Sequence, residues 1–276
     1  MNTNHNLFRV LEETSRTFYI PVTRLPDILK ETVAAAYLCM RAIDEIEDHC
    51  GLDSASKVQL LRRLSLIFQT QSPMENCSIN EFSAAFREHN SILPEVTLRL
   101  GEWACQPPAS IAPRIWDAAA AMADRMAQWV SKNWRIQTQS DLDGYTFSVA
   151  GAVGLLLCDI WAWFDGSQID RRFAIQFGRG LQAVNILRNR EEDLKRNVDF
   201  FPAGWNHNHM LDYANGLLLE ARSGISQVPH QAYKFLVEIP LLLAEATLEV
   251  IKSGEEKLSR AAVMQIVQQA YSEPLE

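Results

Sequence analysis

The sequence predicts an all-α protein, a single helical bundle, on three observations. Apolar residues recur every three to four positions along most of the chain, as on the buried face of a helix. We find no segment that alternates apolar and polar residues in the way a half-buried strand does. Short breaks containing Pro or Gly separate the helical stretches, and no linker is long enough to divide the 276 residues. We therefore expect one domain over residues 1–276.

The first clear helix begins at Pro26-Asp27, a favourable helix start with an acidic residue in the first turn. Its predicted core-facing stripe consists of Ile28, Leu29, Val33, Ala36, Tyr37, Met40 and Ile43. Further helices are predicted at about 54–70, 78–91, 94–105, 110–132, 139–165, 171–197, 206–223, 230–251 and 254–271. The breaks between them are Ser72-Pro73, Pro107-Pro108, Asp165-Gly166-Ser167, Phe201-Pro202 and Val228-Pro229.

Composition excludes several classes of protein. The net charge of −8 and the lack of a basic patch argue against nucleic-acid binding. The five cysteines are scattered, with no CxxC pair, so we expect neither a disulfide framework nor a zinc site and favour a reducing compartment. The polar N-terminus carries no signal-peptide core, and the apolar run Val149 to Phe164 is shorter than the roughly 20 residues of a membrane span. A cytoplasmic protein without a stable membrane anchor is the expectation.

Two acidic clusters, about 145 residues apart, carry the functional signal: Asp44-Glu45-Ile46-Glu47-Asp48 and Asn189-Arg190-Glu191-Glu192-Asp193. Helical positions three and four apart share one face, so each cluster forms a polar patch on its helix. If the clusters faced each other across a helical core, their oxygens would suit magnesium, which also binds phosphates. A solvated charged face is the alternative for either cluster alone, but a buried acidic stripe without a cation would be strongly unfavourable.

Four blocks of the sequence resemble the squalene/phytoene synthase family, in the same order and spacing. They are Ser15-Arg16-Thr17-Phe18; Arg41 to Asp48; Tyr145 to Gly154; and Gln182 to Asn189, continuing to Glu192-Asp193 and Phe200-Phe201-Pro202. The resemblance covers about residues 14–202 and implies the class I isoprenoid synthase fold, a helical bundle with a central apolar channel. It also implies head-to-head condensation of two prenyl diphosphates, most simply farnesyl diphosphate, through a cyclopropyl diphosphate. Mg²⁺, with Mn²⁺ as an alternative, would bridge the acidic motifs and the diphosphates.

The resemblance also assigns roles to individual residues. Metal-side positions are Asp44, Glu47, Asp48, Asn189, Glu192 and Asp193, of which Asp44 and Asp48 share the catalytic role with Tyr145. Diphosphate-binding positions are Ser15, Arg16, Arg41 and Arg188, and pocket-lining positions are Phe18, Gln182 and Asn185. Tyr145 matches a tyrosine implicated in proton handling and cation stabilisation, while an ordinary core tyrosine is the alternative reading of that position.

Two departures from the family pattern fall near the second motif. Asn189 stands where the family has Asp, and Asn197-Val198 stands where it has Gly-Arg, whose arginine approaches a diphosphate. These changes keep two other hypotheses open. One is an enzyme that uses a single prenyl diphosphate, for cyclisation, hydrolysis or transfer to another acceptor. The other is a catalytically silent scaffold protein, against which the retained acidic residues of the first motif argue.

Several properties stay open at this level. They are the chain length of the substrate, the identity of the product, any reduction by NADPH, and the oligomeric state. No Gly-rich dinucleotide fingerprint is present, although this family does not use one. Because the expected products are oily, a peripheral contact with a membrane is compatible with the sequence.

Overall fold

In the computed structural model, residues 3–74, 77–254 and 258–272 are described, and they are helical with no strand among them. The all-α prediction is confirmed. The helices are α1 (Thr3–Thr14), α2 (Arg16–Val22), α3 (Asp27–Asp48), α4 (Ser54–Thr70), α5 (Ile79–Ala85), α6 (Glu95–Leu98), α7 (Leu100–Cys105), α8 (Ala112–Ser131), α9 (Gln139–Thr146), α10 (Ala152–Asp165), α11 (Arg171–Lys195), α12 (His207–Gly224), α13 (Gln231–Lys252) and α14 (Arg260–Ser272). A π-helical turn, Phe147–Gly151, joins α9 to α10, and a 3₁₀ turn, Ile225–Gln227, follows α12.

The helices group into two compact units. Unit 1 contains Met1–Trp134 and Asp159–Gly166, and unit 2 contains Arg135–Cys158 and Ser167–Glu276. The first acidic motif lies on α3 in unit 1, and the second lies on α11 in unit 2. The single domain over 1–276 and the central apolar channel stay predictions.

Helix boundaries follow the sequence prediction closely where no tertiary constraint intervenes. The helix predicted at 54–70 is α4 itself, whereas the one predicted at 94–105 is two short helices that meet at Arg99. Ile28, assigned to the core stripe, is 57% exposed instead, although the rest of that stripe is buried or half-buried. Ile28 lies in the first turn of α3. Periodicity predicts which face of a helix is apolar, but it does not reveal which turns of that face are covered by other helices.

Helix α3 is central to unit 1 because it packs against six other helices, α1, α2, α4, α6, α7 and α8. Its apolar face is fully buried, with no exposed surface at Leu38, Ala42 or Ile43. The hydroxyl of Thr97 on α6 donates to the carbonyl of Ala42 at 3.2 Å, an added link across the buried face. This packing fixes the last two turns of α3, where the acidic motif lies.

A disulfide joins Cys77 to Cys105, across a sequence separation of 28 residues. The expectation that the cysteines would form no disulfide is therefore wrong. Spacing alone could not reveal the pair, because disulfide connectivity depends on which cysteines the fold brings together. The bond closes a loop that contains α5, α6 and α7, two of which pack against α3.

Replacing both Cys77 and Cys105 by Ser should lower the free energy of unfolding by about 3–4 kcal/mol, the loop-closure entropy for a ring of this size. Urea denaturation with and without reductant measures the effect. Cys50→Ser is the matched control, since Cys50 is exposed and unpaired with another cysteine. Equal stability of the double variant and the control would show that the bond does not contribute to the stability of the folded protein.

Unit 2 contains a close backbone approach between α11 and the segment from the π-helical turn into α10. A Cβ placed on Gly154 would lie 2.1 Å from the carbonyl oxygen of Ala174, and one on Gly178 would lie 2.2 Å from that of Ala150. These distances are far below van der Waals contact, so only glycine fits at either position.

The apolar run 149–164 lies within a longer helical run, Gln139–Asp165, of 27 residues. By length and composition this run is able to cross a membrane, so the expectation that it is too short is wrong. Half of its most apolar stretch is buried inside the structure, and core helices of soluble proteins pass the same test. The absence of a stable membrane anchor stays a prediction.

Candidate active site

The last two turns of α3 bring three carboxylates together. Oxygen atoms of Asp44, Glu47 and Asp48 all lie within 4.8 Å of one another. Asp44 is half-buried, Glu47 is only 2% exposed, and Asp48 is exposed, so the cluster runs from the interior to the surface. Three oxygen donors at this spacing fit a hard divalent cation such as Mg²⁺.

The buried member of the cluster, Glu47, is strongly perturbed. Burial raises its pKa well above the usual range, and the neighbouring Asp48 and Asp44 carboxylates raise it further. A buried carboxylate beside two others is unfavourable unless a cation offsets their charge. The donor set and its electrostatics therefore both fit a metal ion at this end of α3.

Arg41 lies one turn before the cluster on the same face. Its guanidinium donates to Asp44 at 2.6 Å and also to Glu45. Its Nε is buried and has no hydrogen-bond partner in the structure. Arg41 thus stands next to the carboxylates and is paired with two of the acidic side chains, and its diphosphate-binding role stays a prediction.

The first matched block approaches the same helix face one turn earlier. Ser15 caps α2 by accepting from the backbone N–H of Phe18 at 3.4 Å. The Phe18 ring stacks on Tyr37 of α3, with ring centroids 5.3 Å apart. Burial raises the pKa of Tyr37, while a hydrogen bond with Ser15 acts in the opposite direction. The side chain of Arg16 lies outside the described residues.

Two residues beside the cluster were missed by the sequence reasoning. Trp134 donates its indole N–H to Oε1 of Glu47. Lys57 is 6% exposed, and its Nζ donates to the backbone carbonyl of Glu47 at 2.6 Å. The chain carries no motif around either residue. Lys57 lies ten positions after Glu47 and Trp134 lies 87 positions after it, so only the fold reveals the two contacts.

The second motif, on α11 in unit 2, is held by polar contacts among its own residues. Oδ1 of Asn185 accepts from Arg188 at 2.5 Å and from the amide of Asn189 at 3.1 Å. Arg188 also donates to Oδ1 of Asn189 at 3.1 Å. Gln182, one turn earlier, is half-buried. The structure therefore gathers the predicted residues Asn185, Arg188 and Asn189 into one hydrogen-bonded group.

The two carboxylates of this motif differ in environment. Glu192 is exposed, whereas Asp193 is 7% exposed and accepts from Arg196 at 2.5 Å. With an amide at 189, the predicted metal positions on α11 offer two carboxylates, and one of these is paired with an arginine. The arrangement of this motif relative to the first stays a prediction.

The departure at Asn197-Val198 has a local structural reason. Asn197 has a φ of 60°, in the left-handed region that Gly enters without strain and that Asn tolerates better than most residues. Asn197 thus preserves the turn after α11 in place of the family's Gly. Val198 is buried, and its backbone N–H donates to the carbonyl of Asp193 at 3.1 Å. A buried apolar side chain therefore occupies the position where the family pattern has an arginine.

Tyr145 is 3% exposed and stacks on Phe200, with ring centroids 4.5 Å apart. It lies on α9, directly before the π-helical turn. Such single-turn insertions in helices occur frequently at functional sites. Its burial agrees with a core tyrosine and with a catalytic one, so both readings stay open.

A polar network spans α9, α11 and α12 next to Tyr145. Arg179 pairs with Asp143 and donates to the hydroxyl of Tyr213 at 2.8 Å, and that hydroxyl donates to Asp143 at 2.7 Å. Burial, opposed by the Thr146 and Arg179 contacts, raises the pKa of Tyr213 to about 12. The network ties the helix that carries Tyr145 to the helix that carries the second motif.

Comparison with known proteins agrees with this fold. Solved structures that share the fold include TcSQS in complex with a ligand, with a TM-score of 0.77 and 19% identity over 98% of this chain and 86% of that one. A dehydrosqualene synthase in complex with a ligand has a TM-score of 0.66 and 17% identity, over 98% of this chain and 95% of that one. The fold is thus that of helical squalene and dehydrosqualene synthases.

A model of the squalene/phytoene synthase family matches residues 11–211, and the chain belongs to that family. Curated relatives include the squalene synthase of Schizosaccharomyces pombe, 28% identical over 71% of this chain and 43% of that protein. The squalene synthase of Saccharomyces cerevisiae is 28% identical over 91% of this chain and 62% of that protein. The chain spans less than half the length of the first curated relatives that it matches.

Proposed function

We propose that this protein is a magnesium-dependent prenyltransferase that condenses two allylic prenyl diphosphates head to head. Farnesyl diphosphate is the first candidate substrate, and a cyclopropyl diphosphate is the expected intermediate. The observation that carries the proposal is the cluster of Asp44, Glu47 and Asp48, with oxygens within 4.8 Å, in a chain that the family model matches over residues 11–211.

The first step requires a carbon–oxygen bond to break so that diphosphate leaves with the bonding electrons. Bound Mg²⁺ would supply positive charge to the leaving oxygens, a stabilisation worth several kcal/mol. Asp44, Glu47 and Asp48 would hold the ion. Arg41, one turn away, would add hydrogen bonds to the phosphate oxygens once it is released from Asp44 and Glu45.

The second step joins two carbons and removes a proton. The double bond of the second substrate attacks the allylic cation, and loss of a proton closes the cyclopropane ring. We assign the proton handling to Tyr145, whose buried ring on Phe200 provides a dry, aromatic environment. Water would quench the cation, so exclusion of water is part of the chemistry.

A second candidate function uses one prenyl diphosphate only. It is favoured by the observations at α11, where Asn189 replaces a carboxylate and Asp193 is already paired with Arg196. Val198, buried in place of an arginine, removes a further cationic contact for a second diphosphate. The product would then be a cyclic terpene, an alcohol or a prenylated acceptor.

The test is an incubation of the purified protein with Mg²⁺ and farnesyl diphosphate, with and without NADPH, followed by mass analysis and measurement of released diphosphate. We expect a thirty-carbon product, with two diphosphates released per molecule of hydrocarbon. A different product in the presence of NADPH would show that a reductive step follows the condensation, and NADPH would then be assigned as a cofactor. A fifteen-carbon product with one diphosphate would establish the second candidate, and absence of release with any donor would contradict both.

A further inference from the structure

We propose that Trp134 and Lys57 are positioning residues that hold Glu47 in a cation-binding orientation. The inference rests on the proposed metal-dependent function, since it concerns how the α3 cluster is prepared for its ion. Neither residue belongs to the matched sequence blocks, and both contact Glu47 directly.

The contact from Trp134 fixes the carboxylate itself. Indole N–H is a donor only, so its hydrogen bond to Oε1 of Glu47 selects one orientation of that side chain. A carboxylate has about four acceptor sites, so a Glu47 side chain held by the indole can still offer an oxygen to the ion together with Asp44 and Asp48.

The contact from Lys57 fixes the backbone below the carboxylate. Its buried ammonium donates to the Glu47 carbonyl in the last turn of α3, where carbonyl groups lack partners in the helix. A cation at a helix C-terminus is favourable, and here it also offsets part of the charge of three nearby carboxylates. The same ammonium lies 5.2 Å from the centroid of the Trp134 ring. Glu47, Lys57 and Trp134 thus form one mutually supporting group.

The backbone that delivers Trp134 is strained. Asn133 and Trp134 have φ values of 50° and 48°, two consecutive residues in the left-handed region. A bulky residue rarely adopts this conformation, and it persists only where the surrounding structure holds it. The turn that follows α8 is held by the N–H of Trp134 donating to the carbonyl of Trp129 at 2.9 Å.

Simple core packing does not explain this arrangement. Trp134 is half-buried, whereas Trp103 and Trp161, which fill the core of unit 1, are 1% exposed. A buried lysine is rare because its charge is costly to remove from water, and Lys57 adds that cost beside the strained turn. The buried charge of Lys57 and the strained turn at Trp134 are both explained if the two residues orient the Glu47 carboxylate for a cation.

The experiment measures cation binding by the metal-free 276-residue chain, using Mn²⁺ by electron paramagnetic resonance and Mg²⁺ by calorimetry. Trp134→Phe keeps the ring and removes the donor, and Lys57→Met keeps the aliphatic stem and removes the ammonium. We expect each to weaken binding by about tenfold or more, as loss of groups that orient metal ligands does. The control is Trp129→Phe, which changes a half-buried tryptophan on α8 that lies beside Lys132.

The readouts separate the proposal from ordinary loss of fold. Circular dichroism and thermal unfolding identify a variant that is not folded. If one of Trp134→Phe and Lys57→Met is not folded, the cation affinity of the other tests the positioning role. Trp134→His, whose imidazole also offers an N–H, should recover part of the affinity lost in Trp134→Phe. Wild-type affinity in folded Trp134→Phe and Lys57→Met, together with loss of binding in Asp48→Asn, would overturn the positioning role while leaving the metal site in place. Absence of cation binding by the wild type would overturn both the metal site and this inference.

Discussion

Glu47→Gln should abolish diphosphate release while making the metal-free protein more stable. The variant keeps an oxygen that accepts from Trp134, but it removes one of three negative charges clustered on α3. Loss of a metal ligand worth several kcal/mol in the transition state corresponds to about a thousandfold loss of activity. Steady-state release of diphosphate measures the activity, and thermal unfolding without metal measures the stability.

The gain in stability should depend on pH. The folded-state pKa of Glu47 is raised, so the contribution of this residue to stability is fully present below its unfolded-state pKa of about 4.3 and is lost as the pH rises through the folded-state value. Gln does not titrate, so the difference in Tm between variant and wild type should be largest at alkaline pH and vanish near pH 4. Excess Mg²⁺ should reverse the order, because only the wild type binds the ion well.

Asp27→Asn is the control, because Asp27 lies on the same helix, 21 positions before Asp48, and pairs with Lys30 at the surface. Its activity should match the wild type. Wild-type activity in the Glu47→Gln variant would show that Glu47 is not a metal ligand. Unchanged or reduced stability at alkaline pH would show that the cluster is not repulsive in the metal-free protein.

Gly154→Ala and Gly178→Ala should be the most destabilising single changes of glycine in unit 2. Each added Cβ would lie near 2 Å from a backbone carbonyl oxygen, of Ala174 or Ala150, so the two helical segments would have to move apart. Overpacking against backbone costs about 3 kcal/mol or more, because no flexible side chain can yield. Urea denaturation measures the loss in the free energy of unfolding.

Gly216→Ala is the matched control for these variants. Gly216 lies within α12, and a Cβ added there meets no atom within 4 Å. The same substitution should therefore stabilise the protein by about 1 kcal/mol, through helix propensity alone. If Gly154→Ala and Gly178→Ala stabilised the protein as Gly216→Ala is expected to do, the close approach of α11 to the π-helical turn and α10 would be contradicted.

The acidic motifs were visible in the sequence because their spacing is local. Residues three and four apart on a helix share a face, so Asp44, Glu47 and Asp48 could be grouped without any knowledge of tertiary structure. The all-α class followed from the same periodicity. The prediction that Ile28 is buried was wrong because burial depends on contacts with other helices, which periodicity does not predict.

Contacts that depend on tertiary structure could not be predicted. Cys77 and Cys105 have no spacing signature, and Lys57 has no pattern that would distinguish it from a surface lysine. The contact between Trp134 and Glu47 joins residues 87 positions apart, through a turn whose backbone conformation no propensity favours. At Asn197, by contrast, the structure explains a departure from the family pattern through backbone conformation alone.

The Cys77–Cys105 bond makes a covalent ring of the chain around α5, α6 and α7. The stretch between α5 and α6 is exposed at Arg87, an accessible site for trypsin. A single cut there would open the ring without separating the two pieces. The nicked protein would run as one band on a non-reducing gel and as two after reduction, and the last turns of α3 would keep their covalent connection to both.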